Sequence, residues 1–267
     1  MLGQDHVSIT VGTVLPFILP MIFSDPAQVT PAVCILVAAL IGSLIPDADS
    51  EGKPALYYDF RIVYYIARPL YRLIVFSFRL FHLKEIMNLE YMVEKKHRGV
   101  MHSPLGVLIS SLVITIILAV ADNLIFQETN TVIIGSLCLG LIAGQFLHLL
   151  EDSCTISGIN WLFPFGTLKL RGSIYTGTKI EGKKDIRPFL YTILLLFFST
   201  CLVIFHFMGE ISLEDSEIYS LIFAGVALIW IFIILTAKLN SDRLWLRDAK
   251  KVRKLEKSFE HLAKPRK

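Results

Sequence analysis

The residues able to do chemistry are few, and they punctuate long apolar runs. His6 stands ahead of one run, Pro46-Asp47-Ala48-Asp49 ends a second, His97 to Ser103 (HRGVMHS) opens a third, and His148 and Asp152 close a fourth. Only seven histidines occur in the chain, and four of them stand at these positions. Neutral imidazole and carboxylate together form a mixed donor set that suits a divalent ion, zinc first and manganese as the alternative. His148 and Asp152 are four residues apart, so on a helix they share a face and can point at one ion or at each other. Asp47 and Asp49 flank Ala48 beyond a proline, where one or both could turn inward.

Taken singly, each residue has a plainer role. A histidine at a membrane edge is an ordinary interfacial side chain, an Asp after Pro is a common turn, and Lys95, Lys96 and Arg98 could simply anchor a bilayer face. The weight lies in convergence: four apolar runs deliver histidines and carboxylates to one membrane surface, although every loop allowed the opposite arrangement.

The elements that must position them are spans. The chain of 267 residues is 54% hydrophobic with a mean hydropathy of +0.61, and its apolar residues fall in blocks. Six blocks run over Val7–Phe23, Pro31–Ile45, Pro104–Ala121, Thr131–Leu150, Pro188–Met208 and Ile218–Ala237. They approach the roughly 17–25 residues a spanning helix needs, the first two being short. Pro16 and Pro20 predict a kink in the first, while Ser103 suits a helix cap and Pro104 a first turn.

Charge orients them. All 26 Lys and Arg fall in segments 47–103, 151–187 and 238–267. Segments 24–30, 122–130 and 209–217 have none, and carry Asp25, Asp122, Glu128, Glu210, Glu214, Asp215 and Glu217 instead. Basic loops stay cytoplasmic, so six spans with both termini inside are expected, in a cell (inner or plasma) membrane. No cleavable signal peptide is expected, because Asp5 and His6 stand where a basic leader would be. Cys34, Cys138 and Cys201 lie in apolar blocks and Cys154 has no CxxC companion, so neither disulfides nor a thiolate metal site is expected.

Arg61, Arg68, Arg72 and Arg79 are spaced seven, four and seven residues apart, which keeps them in a helical stripe about 40° wide. With Ile62, Val63, Tyr64, Leu73, Ile74 and Phe76 between them, segment 60–83 reads as an amphipathic helix on the inner leaflet, facing anionic head groups and broken or bent at Pro69. As a seventh span it would bury the arginines at several kcal/mol in total. Leu168 to Ile180 alternates partly and holds Gly172 and Gly177, which predicts a short hairpin. Trp161, Phe163, Pro164 and Phe165 are expected to wall the site or anchor the interface. The fold expected is all-α and polytopic, with about six transmembrane helices plus the interfacial helix. It forms one domain over 1–237, carrying the site in 1–166, and a basic cytoplasmic tail over 238–267.

The ordered series His6, Pro46 to Asp49, His97 to Ser103, Gly144 to Asp152 (GQFLHLLED) and Trp161 to Phe165 (WLFPF) resembles the inner-membrane metal-dependent hydrolases associated with LexA regulation in bacteria. The resemblance covers roughly residues 1–166, and that family is in turn distantly similar to the helical zinc phospholipase C and P1 nuclease group. The resemblance implies a metal site using His6, Asp47, His102, His148 and Asp152, with His97 and Asp49 as further candidates. The chain lacks an obvious second HxxxE, so one or two metals are implied and not three. Asp49 or Asp152 would then be the base and Arg98 a bidentate phosphate clamp. A phosphoesterase acting on a phospholipid or lipid phosphate competes with a metal-ion or proton transporter and with a scaffold. Membrane lipids are the expected partners. Nothing resembles a nucleotide-cradling glycine loop, and no nucleic-acid partner is expected.

Overall fold

The computed structural model describes residues 3–49, 60–80, 99–162, 167–175 and 185–244. Among these residues are seven α-helices, six of them long and apolar enough to cross a membrane. They are α1 (Gly3–Ser24), α2 (Val29–Gly42), α3 (Arg61–Leu80), α4 (Pro104–Phe126), α5 (Thr131–Ser153), α6 (Arg187–Phe207) and α7 (Ile218–Thr236). All but α3 are candidate spans, and the second such run extends over Pro26–Ala48. Three 3-10 turns, Pro26–Gln28, Pro46–Asp49 and Val100–His102, lead into or out of spans.

The caps are local chemistry. Ser103 Oγ accepts from the Gly106 amide with Pro104 in the first turn of α4, and Asn130 Oδ1 accepts from the Ile133 amide at the start of α5. α1 runs through Pro16 and Pro20 as one helix, with both prolines buried. Large apolar side chains such as Leu108, Leu112, Ile116 and Val120 on α4 stand exposed, as on a helix whose surroundings are lipid.

Small residues bring α2 and α5 together. A Cβ added at Gly144 would overlap the carbonyl of Ala39, one at Gly140 that of Ile35, and one at Gly42 would come within 2.7 Å of the Leu141 carbonyl. Gly140, Gly144, His148 and Asp152 follow at intervals of four on one stripe of α5. The close backbone approach that starts the stripe therefore sets the depth of the histidine and carboxylate that end it. One turn before His148, Gln145 donates to Ser111 Oγ at 2.8 Å and accepts from Ser110, which ties α5 to α4. α1 packs on α2, α6 and α7, with Gly12 against Leu195 and Trp230 Nε1 donating to Thr13 Oγ1 at 3.3 Å.

Three expectations are corrected. Leu168–Arg171 does form a strand, but its partners lie outside the segment expected to fold back on itself. β2 (Thr167–Arg171) is the middle of a three-stranded antiparallel sheet, between β1 (Ile159–Asn160) and β3 (Asn240–Leu244). β3 belongs to the segment expected as a basic tail. Its pairing, Leu170 opposite Ser241, fixes the chain after α7 beside the chain after α5. Residues 245–267 lie outside the described residues. Finally, α3 is continuous through Pro69, so the helix is not broken there. Pro69 itself is exposed.

α3 is amphipathic and is not among the candidate spans. Ala67, Leu70 and Val75 are buried against the cluster that holds Leu44, Ile45, Ala48, Val100 and Met101. Arg61 and Arg72 are exposed. Arg68 is half-buried instead, and Nη1 donates to the Ala48 carbonyl at 2.9 Å.

Candidate metal centre

His6 lies in the second turn of α1, Asp47 in the turn after α2, His102 in the turn before α4, and His148 and Asp152 in the last turns of α5. Helices that alternate in direction bring these ends to one side of the bundle, and there the side chains meet. His102 Nε2 and His148 Nε2 are 3.3 Å apart. Asp47 Oδ1 is 3.8 Å from each of them. Asp152 Oδ2 is 3.6 Å from His102 Nε2 and 3.8 Å from His148 Nε2. The other Asp152 oxygen, Oδ1, is 3.6 Å from His6 Nε2. The three histidines and Asp152 are each at most 1% exposed, and only Asp47 keeps partial access to solvent, its side chain 20% exposed.

The donor set fits a divalent ion. Four ligand atoms held tetrahedrally at about 2.0–2.2 Å from zinc stand about 3.3–3.6 Å from one another. The Nε2 atoms of His102 and His148 stand 3.3–3.8 Å from each other, from Asp47 Oδ1 and from Asp152 Oδ2, close to that spacing. The hydrogen bonding agrees. His148 Nδ1 lies 2.7 Å from the Ser43 carbonyl, which can only accept, so Nδ1 carries the proton and Nε2 of the neutral ring turns a lone pair toward His102. Cys154 lies two residues beyond Asp152, and burial, with the neighbouring Glu151 and Asp152 carboxylates, pushes its thiol up to about 12. Among the described residues two overlapping groups of imidazole and carboxylate donors could hold a metal: His6, His148 and Asp152, and Asp47, His102 and His148.

The structure brings together His6, Asp47, His102, His148 and Asp152 of the expected residues. His97 and Arg98 lie outside the described residues, and for Asp49 only the backbone position in the Pro46–Asp49 turn is described. Trp161 does not stand among the donors. Its Nε1 donates to Ser153 Oγ at 2.7 Å and its ring meets Phe146 edge-on, which docks the chain after α5 onto that helix. Phe163, Pro164 and Phe165 lie outside the described residues.

Sequence reasoning missed Glu151. It is 1% exposed, Oε2 is 2.6 Å from His6 Nδ1, and Oε1 accepts from Thr10 Oγ1 at 3.3 Å. The signal was present: an acid three residues after His148, still inside the apolar helix, where an unpartnered carboxylate is costly.

Six apolar helices and a buried histidine–carboxylate cluster define a multi-pass membrane protein with a buried polar centre at one end of its helix bundle. The chain belongs to the YdjM inner membrane protein family, which it matches over residues 1–241. No curated protein and no solved structure matches it.

Proposed function

We propose that this protein is a membrane-embedded metal-dependent hydrolase, a phosphoesterase acting on a lipid phosphate or phospholipid at the cytoplasmic face. The observation that carries the reading is the meeting of three imidazole Nε2 atoms with Asp47 and Asp152, delivered by α1, α5 and the turns after α2 and before α4. His6, Asp47, His102, His148 and Asp152 would hold the ion, zinc or else manganese. Bound there, it would lower the pKa of a water toward about 7 and polarise a phosphoryl oxygen. Asp152 presents both carboxylate oxygens to imidazoles, so Asp49 is left as the proton acceptor. Arg98, within the HRGVMHS motif, would clamp the phosphate in a bidentate fork. The partly exposed side of Asp47 is the edge at which substrate would arrive. The charge sorting supports a cytoplasmic placement with both termini inside. The resemblance to LexA-associated metal-dependent hydrolases points the same way.

Transporters place ionisable groups near the middle of the bilayer, whereas these residues sit at helix ends, which favours hydrolysis over conduction. The test uses purified protein in bilayers presented with a panel of phospholipids and lipid phosphates. At least one divalent ion per chain should copurify, His148→Ala and Asp152→Ala should lose it, and Asp47→Asn should abolish hydrolysis. A wild-type protein without metal, or hydrolysis no higher than in Asp47→Asn, would overturn the reading. Metal movement across the vesicle wall would replace it with transport.

A further inference from the structure

We infer that Glu151, held by Thr10, is the positioning residue for His6: it fixes which ring nitrogen faces Asp152. The inference rests on the metal-centre reading above and deepens it.

His6 lies near the start of α1, where a helix has few intrahelical hydrogen bonds to hold it and frays. A ligand on such a turn needs an anchor from elsewhere, and α5 supplies one. Glu151 and Asp152, consecutive on α5, contact opposite edges of the same imidazole, Oε2 at 2.6 Å from Nδ1 and Oδ1 at 3.6 Å from Nε2. The shorter contact is a full hydrogen bond and the longer one is not. Against an ionised Glu151, which can only accept, the proton belongs on Nδ1, and the Nε2 lone pair is turned toward Asp152 and the other donors. Thr10, one helical turn beyond His6 and completely buried, donates to Oε1, so the second carboxylate oxygen is held from the same helix. The imidazole of His6 also stacks on that of His148, with centroids 4.0 Å apart and planes at 26°, which limits rotation of the ring. Stacking alone does not distinguish Nδ1 from Nε2. The carboxylate does, as in the carboxylate–histidine–metal arrangements that orient ligands elsewhere.

Two measurements on the full-length protein test this. Zinc affinity, read by competition with a chromophoric chelator, should weaken about 10–100-fold in Glu151→Leu. It should largely recover in Glu151→Gln, which keeps an oxygen acceptor, and weaken less in Thr10→Val. In metal-free protein labelled with 15N histidine, and assigned by His6→Gln, His6 should be the Nδ1–H tautomer in wild type and lose that preference in Glu151→Leu. Wild-type zinc affinity in Glu151→Leu, or an Nε2–H tautomer of His6 in wild type, overturns the inference. Absence of zinc binding by wild type would overturn the metal-centre reading instead, and the tautomer would still decide the role of Glu151.

Discussion

His148 Nδ1 donates a 2.7 Å hydrogen bond to the main-chain carbonyl of Ser43, the C-cap residue of α2. A carbonyl at a helix C-terminus has no intrahelical partner, so α5 satisfies an orphan of α2 with the ring that it delivers to the cluster. The bond is possible because Gly144, one turn earlier, lets the backbones nearly touch. We expect Gly144→Leu, which would drive a side chain into the Ala39 carbonyl, to cost about 1–3 kcal/mol of stability and most of the bound metal. A Cβ at Gly135 on the same helix meets nothing within 4 Å, so Gly135→Leu should preserve both. Thermal unfolding and elemental analysis of the two variants decide it. Equal behaviour would mean that the close approach does not set the site.

Topology makes a second prediction. The α4–α5 and α6–α7 connections carry only acidic charges, and β3 joins the chain after α7 to the chain after α5, on the side of the cluster. Single cysteines at Asn123 and Ser216, both exposed, should react with an impermeant maleimide from outside the cell. One at Ser241 should react only after permeabilisation. The background is the protein with Cys34, Cys138, Cys154 and Cys201 replaced. Reversed labelling would place the histidine–carboxylate cluster outside.

The β-sheet side is held by an ion pair with its own pH signature. Asp185 accepts from Arg187 Nη2 at 2.6 Å, and Arg187 also reaches the carbonyls of Ser173 and Thr236. The Arg187 side-chain hydrogen bonds hold the Asp185 carboxyl below its ordinary range. A carboxyl whose pKa is lower folded than unfolded stabilises the fold fully above its unfolded value of about 3.9, and that stability is lost as pH falls through the folded value. Asp185→Asn should therefore be less stable than wild type at pH 7, by about 1–3 kcal/mol for the lost charge-assisted bonds. The gap should close as pH is taken from about 5 toward 3. A gap constant with pH would show that the pair does not contribute through its charge.

Which parts were legible in the sequence follows from how each part is made. Spans and their direction are set by runs of apolar residues and by the placement of Lys and Arg, both local properties. His6, Asp47, His102, His148 and Asp152 could be gathered on paper because each sits at a span end and the ends alternate. Glu151 could not be paired with His6, because their contact joins residues 145 apart and depends on the rotation of α1 against α5. β3 was hidden for a different reason: Asn-Ser-Asp-Arg-Leu has no apolar alternation, and it becomes a strand by pairing with β2. The four-arginine stripe was visible, but not that Arg68 turns inward.

That inward turn carries the last prediction. Arg68 donates to the carbonyl of Ala48, between Asp47 and Asp49, while its guanidinium lies 6.0 Å from the ring centre of Tyr64 and 5.8 Å from that of Tyr71. The interfacial helix thus grips the turn that supplies the Asp47 carboxylate. A hydrogen bond from a charged donor is worth about 1.5–3 kcal/mol, so its loss lets the turn move and should weaken metal binding by about tenfold or more. Arg68→Met keeps the aliphatic stem over the tyrosines and removes only the donor. Arg68→Lys keeps the charge and loses the planar fork, and should fall between Met and wild type. Arg72, exposed on the same stripe, is the control: Arg72→Met removes the same charge from the helix without touching the turn. Chelator competition on the three variants separates the two roles. If Arg68→Met and Arg72→Met weaken metal binding alike, the effect is one of surface charge, and the Ala48 contact does not position Asp47.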